Sequence, residues 1–345
     1  MENYRYRCVD NSILLEPFKK YYVAFYFKLV PGWLTANFIT LMSSLFMLAM
    51  FILIVQSDIF NEAFLGLGIA FCLHAYIVGD HLDGMQAKHT ATGSALGEFL
   101  DHYLDVYNGA ITFLLPFVYF NFLQIEIFLI LLWIHSSAFA YTYVEQIELR
   151  ELHFGVIGTL EGVWVHIFFA LSWCVEPVRS FWLSGTLLGV NVYWIVILLV
   201  FLGYAGTLID IFARLKAFPK QFIIYVIGSI LLTYLLYDLE INRWLIWLTI
   251  TFQVGEYIGK VMSGYLLSKA HEYPDLPGIF ASGILLSIQL FDLADQQTVK
   301  WGILGLLGYY IFKVLWNFTT LVCVLRRFWY WTNPRRSEDS MVGSA

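Results

Sequence analysis

Ten long apolar runs, separated by short polar segments, make up most of the chain. A helix needs roughly 20 mostly apolar residues to cross the hydrocarbon core of a bilayer, and the longer runs reach that length. The pattern therefore predicts an all-α integral membrane protein of about ten transmembrane helices. The predicted spans are 38–56, 64–82, 94–120, 124–144, 163–176, 191–213, 221–237, 244–268, 277–291 and 301–325.

Composition supports a membrane protein. Of the 345 residues, 59% are hydrophobic and 13% are charged, whereas soluble domains carry about 25% charged residues. No basic block is long enough to follow a phosphate backbone, which argues against binding to a nucleic acid polymer. The four cysteines are scattered without metal-ligand spacing and are interpreted as reduced thiols.

The first 36 residues mix lysines and arginines with aromatic residues. That mixture favours an amphipathic interfacial helix that lies in the headgroup layer of the membrane. Lys and Arg concentrate at the two ends and in every second loop, while the opposite loops hold Arg179, Arg243 and Lys300. The positive-inside rule then predicts that both termini and the polar stretch 80–105 face the cytoplasm. In a eukaryote the expected membrane is that of the endoplasmic reticulum or Golgi, which the loop charges themselves do not indicate.

That polar stretch is the main clue to function, because it places many charges between apolar runs. Six of its side chains can form two helical faces: Asp80 with Asp83, and Glu98 with Asp101, His102 and Asp105. If the two helices face each other, four carboxylates gather in one pocket. Charges inside membrane segments are costly and usually functional.

Carboxylates that repel one another need cations, and their hard oxygens favour Mg²⁺, Mn²⁺ or Ca²⁺ over softer metals. Four carboxylates suffice for two ions, which is the arrangement that assists phosphoryl displacement. The small residues Gly84 and Ala87 would let a diphosphate approach the helix, and Lys88 would add a positive charge. His102 is a candidate base, with Glu98 one turn earlier to orient its ring.

Seven positions in this stretch match the spacing DxxDGxxA, nine residues, then GxxxDxxxD. They are Asp80, Asp83, Gly84, Ala87, Gly97, Asp101 and Asp105. The pattern resembles the signature of the CDP-alcohol phosphotransferases. Val9–Ser12 (VDNS), Trp33–Leu41 (WLTANFITL) and the segment from Gly97 to His102 resemble, more narrowly, the eukaryotic-type choline and ethanolamine phosphotransferases.

The resemblance implies that Asp80, Asp83, Asp101 and Asp105 bind two divalent ions. It implies that His102 is the base with Glu98 as its partner, and that Asn37 and Gly97 lie near the nucleotide. The reaction implied is transfer of phosphoethanolamine or phosphocholine from CDP-ethanolamine or CDP-choline to diacylglycerol, with release of CMP. A homodimer is implied as well.

The resemblance covers residues 9–105 specifically and 106–162 weakly, and the span count supplies the rest of the predicted division. It consists of an interfacial segment (1–36), six catalytic spans (37–215), and four further spans with a short cytosolic tail (216–345). One departure is Lys88, where the family usually has arginine; lysine keeps the charge but loses the two-pronged contact with phosphate.

Other functions remain open from the sequence. Ceramide is an alternative acceptor, and inositol or glycerol phosphate is an alternative headgroup. A cation transporter would also place aspartates within the membrane, and an inactive relative would keep the fold without the activity. Outside the acidic stretch, Glu256 and Lys260 are four residues apart and are expected to pair on one helix face.

Overall fold

The structure is a computed structural model that describes residues 7–120, 124–239 and 241–325. The first six residues and the predicted cytosolic tail from 326 to 345 lie outside the described residues. The arginines in these two segments, which count toward the predicted charge asymmetry, therefore lie outside them as well. Helices dominate the described chain, which confirms the predicted all-α class.

The short helices are α1 (Leu15–Pro17), a π-helical turn (Phe18–Val23), α2 (Ala24–Phe27), a 3-10 turn (Ser57–Ile59), α6 (Leu115–Tyr119) and α9 (Glu176–Ser184). The longer helices are α3 (Ala36–Val55), α4 (Glu62–His89), α5 (Ala95–Phe113), α7 (Ile125–Leu149), α8 (Thr159–Trp173), α10 (Val192–Leu215), α11 (Lys220–Asp238), α12 (Arg243–Leu266), α13 (Leu276–Leu290) and α14 (Gln296–Leu325).

Two pairs of very short strands accompany the helices. Strand β1 (Cys8–Asp10) pairs with β2 (Leu152–Phe154), and β3 (Thr186–Leu187) pairs with β4 (Val190–Asn191). Strand β1 lies in the segment 1–36 that is predicted as an interfacial helix, and the other three lie between predicted spans or at the edge of one. Strands of two or three residues are too short to show the alternation that predicts them.

Side-chain caps fix where the helices of the acidic stretch begin. The backbone N–H of Phe38 donates to Thr35 before α3, that of Phe64 to Asn61 before α4, and that of Gly97 to Ser94 before α5. Each cap satisfies a backbone donor that has no partner within its helix. The cap at Ser94 agrees with the predicted start of the third span at 94. The predicted end at 120 differs from the structure, because α5 ends at Phe113 and the separate short helix α6 follows.

Helices lie at all ten predicted spans, but among the described residues six of them are long and apolar enough to cross a membrane. These six are α3, α4, α7, α10, α11 and α14. The other four differ in charge or length. Helix α5 carries Glu98, Asp101 and Asp105, and α12 carries Arg243, Glu256 and Lys260.

Helices α8 and α13 have 15 residues each, and rise about 22 Å at 1.5 Å per residue. That falls short of a hydrocarbon core of about 30 Å. The count of ten spans therefore stays a prediction, and so does the interfacial position of the N-terminal segment, which is helical from Leu15 to Phe27.

The chain divides into two compact units. The first contains the described residues of 1–119, 153–186 and 323–325, and the second contains 120–152 and 187–322. Within the first unit α4 packs along α3 and against α8, and α3 also packs against α5. Within the second, α7 packs against α10, α11 and α12, and α11 packs against α13. The three domain boundaries expected from the sequence stay predictions.

Two glycines of the first unit let helices approach closely. A Cβ on Gly79 of α4 would lie 2.7 Å from the Cβ of Ser43 on α3. A Cβ on Gly66 of α4 would lie 2.4 Å from the carbonyl oxygen of Ala170 on α8. Because neither distance leaves room for a methyl group, glycine at both positions is what allows α4 to pack against its two neighbours.

Candidate active site

Three of the predicted carboxylates meet between α4 and α5. One oxygen from each of Asp80, Asp101 and Asp105 lies within 4.8 Å of the other two. The helical spacing explains this, since Asp101 and Asp105 are four residues apart on α5 and share a face opposite Asp80 on α4. All three side chains are part-buried, and we call this group the acidic cluster.

The acidic cluster is suited to a divalent cation. Its ligand atoms are carboxylate oxygens, the hard donors that Mg²⁺ and Mn²⁺ prefer. Among the described residues no lysine or arginine forms an ion pair with any of the three aspartates. Three like charges at this separation repel one another, and a bound cation would offset that repulsion.

Asp83 lies one turn after Asp80 on α4 and is not part of this group of three. It is buried, with 5% of its surface exposed, and its Oδ2 accepts a hydrogen bond of 2.5 Å from the hydroxyl of Thr40 on α3. The role of Asp83 as a fourth metal ligand therefore stays a prediction. Thr40 holds one of the two oxygens of Asp83.

His102 and Glu98 lie beside the cluster and are both buried. His102 Nε2 is 3.7 Å from Oδ2 of Asp101, and His102 Nδ1 is 3.9 Å from Oε1 of Glu98. These distances are within the range of an ion pair but longer than a hydrogen bond. The pair is thus close to the cluster, as the sequence predicts, while its catalytic role stays a prediction.

The remaining predicted site residues surround the same region. Asn37 lies against the backbone of α5, because a Cβ on Gly97 would be 3.1 Å from its Oδ1. A Cβ on Gly84 would have no neighbour within 4 Å, so the helix surface is open there. Ala87 is half-buried and Lys88 is exposed. The substrate contacts predicted for these residues stay predictions.

The sequence did not single out three polar residues that contact the aspartates. Tyr76 donates a hydrogen bond of 2.8 Å to Oδ1 of Asp105, Asn108 donates one of 3.4 Å to the same oxygen, and Thr40 donates to Asp83. Tyr76 could have been found, because it precedes Asp80 by four residues and so lies on the same face of α4. Thr40 could not, because its partner lies 43 residues away.

The fold and this site define an α-helical membrane protein with a carboxylate cluster between two helices. Residues 33–182 match the family model of the CDP-alcohol phosphatidyltransferases, so the chain carries a domain of this family. The matched range includes every predicted site residue.

Individual relatives match over shorter shares of their length. A class-I CDP-alcohol phosphatidyltransferase family protein of Schizosaccharomyces pombe is 30% identical over 197 residues, 53% of this chain and 49% of the relative. The CDP-diacylglycerol–serine O-phosphatidyltransferase of Encephalitozoon cuniculi is 32% identical over 108 residues, 30% of this chain and 28% of the relative. Choline/ethanolaminephosphotransferase 1 of Arabidopsis thaliana is 33% identical over 113 residues, with shares of 30% and 28%. The chain spans about half or less of the length of the curated relatives it matches, between 27% and 49%.

Proposed function

We propose that the protein is a membrane phosphotransferase that moves phosphoethanolamine or phosphocholine from a CDP-alcohol to the hydroxyl of diacylglycerol and releases CMP. The observation that carries the proposal is the acidic cluster of Asp80, Asp101 and Asp105, formed by aspartates of the seven-position motif within the matched range. The similarity to the plant choline/ethanolaminephosphotransferase supports the choice of headgroup.

The carboxylates of the cluster, with Asp83, would hold Mg²⁺ or Mn²⁺, two ions if the motif is used in full. Such ions offset the charge of a diphosphate and of the departing CMP. The chain's own contribution is to gather the carboxylates on α4 and α5, and to leave the surface at Gly84 open to the nucleotide. Asn37, held against Gly97, would contact the nucleotide, and Lys88 would contact a phosphate.

His102 would remove the proton from the lipid hydroxyl. The hydroxyl oxygen then bonds to the phosphorus that carries the alcohol, and the bond from that phosphorus to the oxygen of CMP breaks. His102 is buried next to Asp101, and Glu98, one turn earlier, would keep its ring oriented and stabilise the protonated form. A base of this kind contributes about 10²–10⁴-fold to the rate.

The two proposed substrates differ in solubility. The nucleotide is water-soluble and the acceptor is a lipid, so the reaction requires a site where water and membrane meet. We propose that the cluster lies at the cytoplasmic side, with the acceptor entering between helices. Dimerisation is a separate proposal that a cross-linking experiment in native membranes would test.

A second candidate uses the same chemistry with the lipid on the donor. The serine-type relative is named for CDP-diacylglycerol and serine, and its identity to this chain is 32%, against 33% for the plant relative. In that reaction the phosphatidyl group moves to a small hydroxyl compound, and CMP is again released. The two candidates differ in which substrate carries the nucleotide.

One experiment separates the two candidates. Purified protein is incubated with radiolabelled CDP-ethanolamine or CDP-choline and diacylglycerol or ceramide, and in parallel with CDP-diacylglycerol and labelled serine, inositol or glycerol phosphate. Each reaction is run with Mg²⁺ and with EDTA, and labelled lipid is counted. The proposal expects Mg²⁺-dependent product from a CDP-alcohol and diacylglycerol; product from CDP-diacylglycerol alone would favour the second candidate, and no product in any arm would reject both.

A further inference from the structure

Three hydrogen bonds connect the helices around the acidic cluster. Thr40 on α3 donates to Asp83 on α4, and Tyr76 on α4 donates to Asp105 on α5. Asn108 on α5 donates to Ser44 on α3 at 3.2 Å. Every pair among α3, α4 and α5 is therefore joined by one polar contact.

The three donors are buried. Thr40 is 5% exposed, and Tyr76 and Asn108 are 4% exposed. Removing such polar groups from water is unfavourable unless they form hydrogen bonds, and here two of the acceptors are carboxylates of the site. A hydrogen bond to a charged acceptor is stronger than one between neutral groups.

The hydrogen bonds select particular oxygens. Tyr76 and Asn108 both reach Oδ1 of Asp105, and Thr40 reaches Oδ2 of Asp83. Hydrogen bonds to one oxygen restrict the rotation of a carboxylate about its last torsion, and in Asp105 they would leave the other oxygen for a cation. Groups that hold metal ligands through a hydrogen bond typically affect metal affinity by about 10–100-fold.

We propose that Tyr76, Thr40 and Asn108 are positioning residues that orient Asp105 and Asp83 for a divalent cation. They would also lower the repulsion among the carboxylates, since each donor brings a partial positive charge to one oxygen. The inference rests on the proposed cation site and is independent of which CDP-alcohol is used.

Close helix packing sets the geometry for these contacts. The absence of a Cβ at Gly79, which lies three residues after Tyr76 and four before Asp83, brings α4 against Ser43 of α3. Asn37 on α3 lies close to Gly97 at the start of α5, because a Cβ on Gly97 would be 3.1 Å from Oδ1 of Asn37. A short hydroxyl such as that of Thr40 can reach a carboxylate on the next helix only when the two backbones are this close.

The test measures cation affinity without any substrate. Mn²⁺ is titrated into purified protein, and free Mn²⁺ is followed by its paramagnetic resonance signal. Tyr76→Phe keeps the ring and removes the hydroxyl, and Thr40→Val keeps the shape and removes the hydroxyl. Each is expected to weaken Mn²⁺ binding by about tenfold.

Two matched variants control for loss of a buried hydroxyl. Tyr119→Phe alters a buried tyrosine that packs on Trp173, with ring centroids 5.2 Å apart. Thr249→Val alters a buried threonine of α12 whose hydroxyl donates to the backbone carbonyl of Leu245. Both should bind Mn²⁺ as the wild type does. A general loosening of the fold would instead weaken all four variants together, and would overturn the inference.

Further results of the Mn²⁺ titration would also overturn or support the inference. Mn²⁺ affinity within twofold of wild type in both Tyr76→Phe and Thr40→Val would overturn the inference, as would a wild-type protein that binds no Mn²⁺. If Tyr76→Phe does not fold, Thr40→Val and Asn108→Ala carry the same test. Mn²⁺ binding that depends on Tyr76 and Thr40, in a protein that transfers no headgroup, would support the inference while rejecting the proposed function.

Discussion

Both units of the protein contain charged side chains among apolar helices, but the two groups differ in balance. In the first unit, Asp80, Asp101 and Asp105 bring three negative charges together. In the second, two acidic and two basic side chains meet: Lys260 lies 2.9 Å from Glu256 and 3.7 Å from Asp275, and Lys313 lies 3.3 Å from Asp275. We call this second group the balanced network.

The balanced network satisfies its own charges. Oδ1 of Asp275 faces the two lysines, and its Oδ2 accepts hydrogen bonds from the hydroxyl of Tyr309 at 2.7 Å and the backbone N–H of Gly278 at 2.8 Å. The contacts link α12, α13 and α14, which explains these charges as structural. The acidic cluster is not balanced in this way, so the same residue types there point to a cation from outside the chain.

The largest expected effect is in the acidic cluster. Asp101→Asn removes one charge and one ligand, and labelled lipid product should fall below detection. The matched variant is Asp275→Asn, which removes a buried carboxylate charge from the balanced network. Its transfer activity per mole of folded protein should equal that of the wild type. Near-normal transfer by Asp101→Asn would contradict the assigned role of the cluster.

His102→Ala is expected to have the next largest effect. Removal of a general base should lower kcat by about 10²–10⁴-fold, while the KM for the CDP-alcohol changes little, because the histidine acts on the lipid hydroxyl. Initial rates at varied CDP-alcohol concentration separate the two quantities. An unchanged kcat would exclude His102 as the base.

In the balanced network the expected loss is in stability. Lys260→Met leaves Glu256 buried without its closest lysine, which should cost about 3 kcal/mol or more in the free energy of unfolding. The double variant with Glu256→Gln should recover part of that loss, because the uncompensated charge is gone. Denaturant unfolding in detergent measures both. Equal stability of Lys260→Met and wild type would mean that the network is not structural.

The smallest expected effect concerns pH. His271, in the loop between α12 and α13, has its imidazole near Glu148 and Tyr257. Burial lowers the pKa of His271, although Glu148 opposes the shift. The unfolded chain then binds the proton more readily, so stability falls as the pH drops below the ordinary value of about 6.5. Between pH 7.5 and 5.5 the melting temperature of the wild type should drop slightly more than that of His271→Gln; equal drops would contradict the assignment.

Spacing along single helices was enough to predict much of the structure. The turn from Asp101 to Asp105, the pairing of Glu256 with Lys260, and the positions of ten helices all depend on local periodicity. The contacts of Thr40 with Asp83 and of Lys313 with Asp275 depend on which helices become neighbours. No short pattern in a single sequence predicts which helices pack together. Nor does a short pattern predict that α5 ends at Phe113 and a separate helix follows.

Cation binding by the two charge groups tests most directly whether the acidic cluster is the cation site. Mg²⁺ is titrated calorimetrically into wild type, Asp101→Asn and Asp275→Asn without substrate. If the acidic cluster is the cation site, wild type and Asp275→Asn should bind Mg²⁺ saturably, and Asp101→Asn should not. Undiminished binding by Asp101→Asn, or loss of binding by folded Asp275→Asn alone, would contradict the claim that the acidic cluster is the cation site.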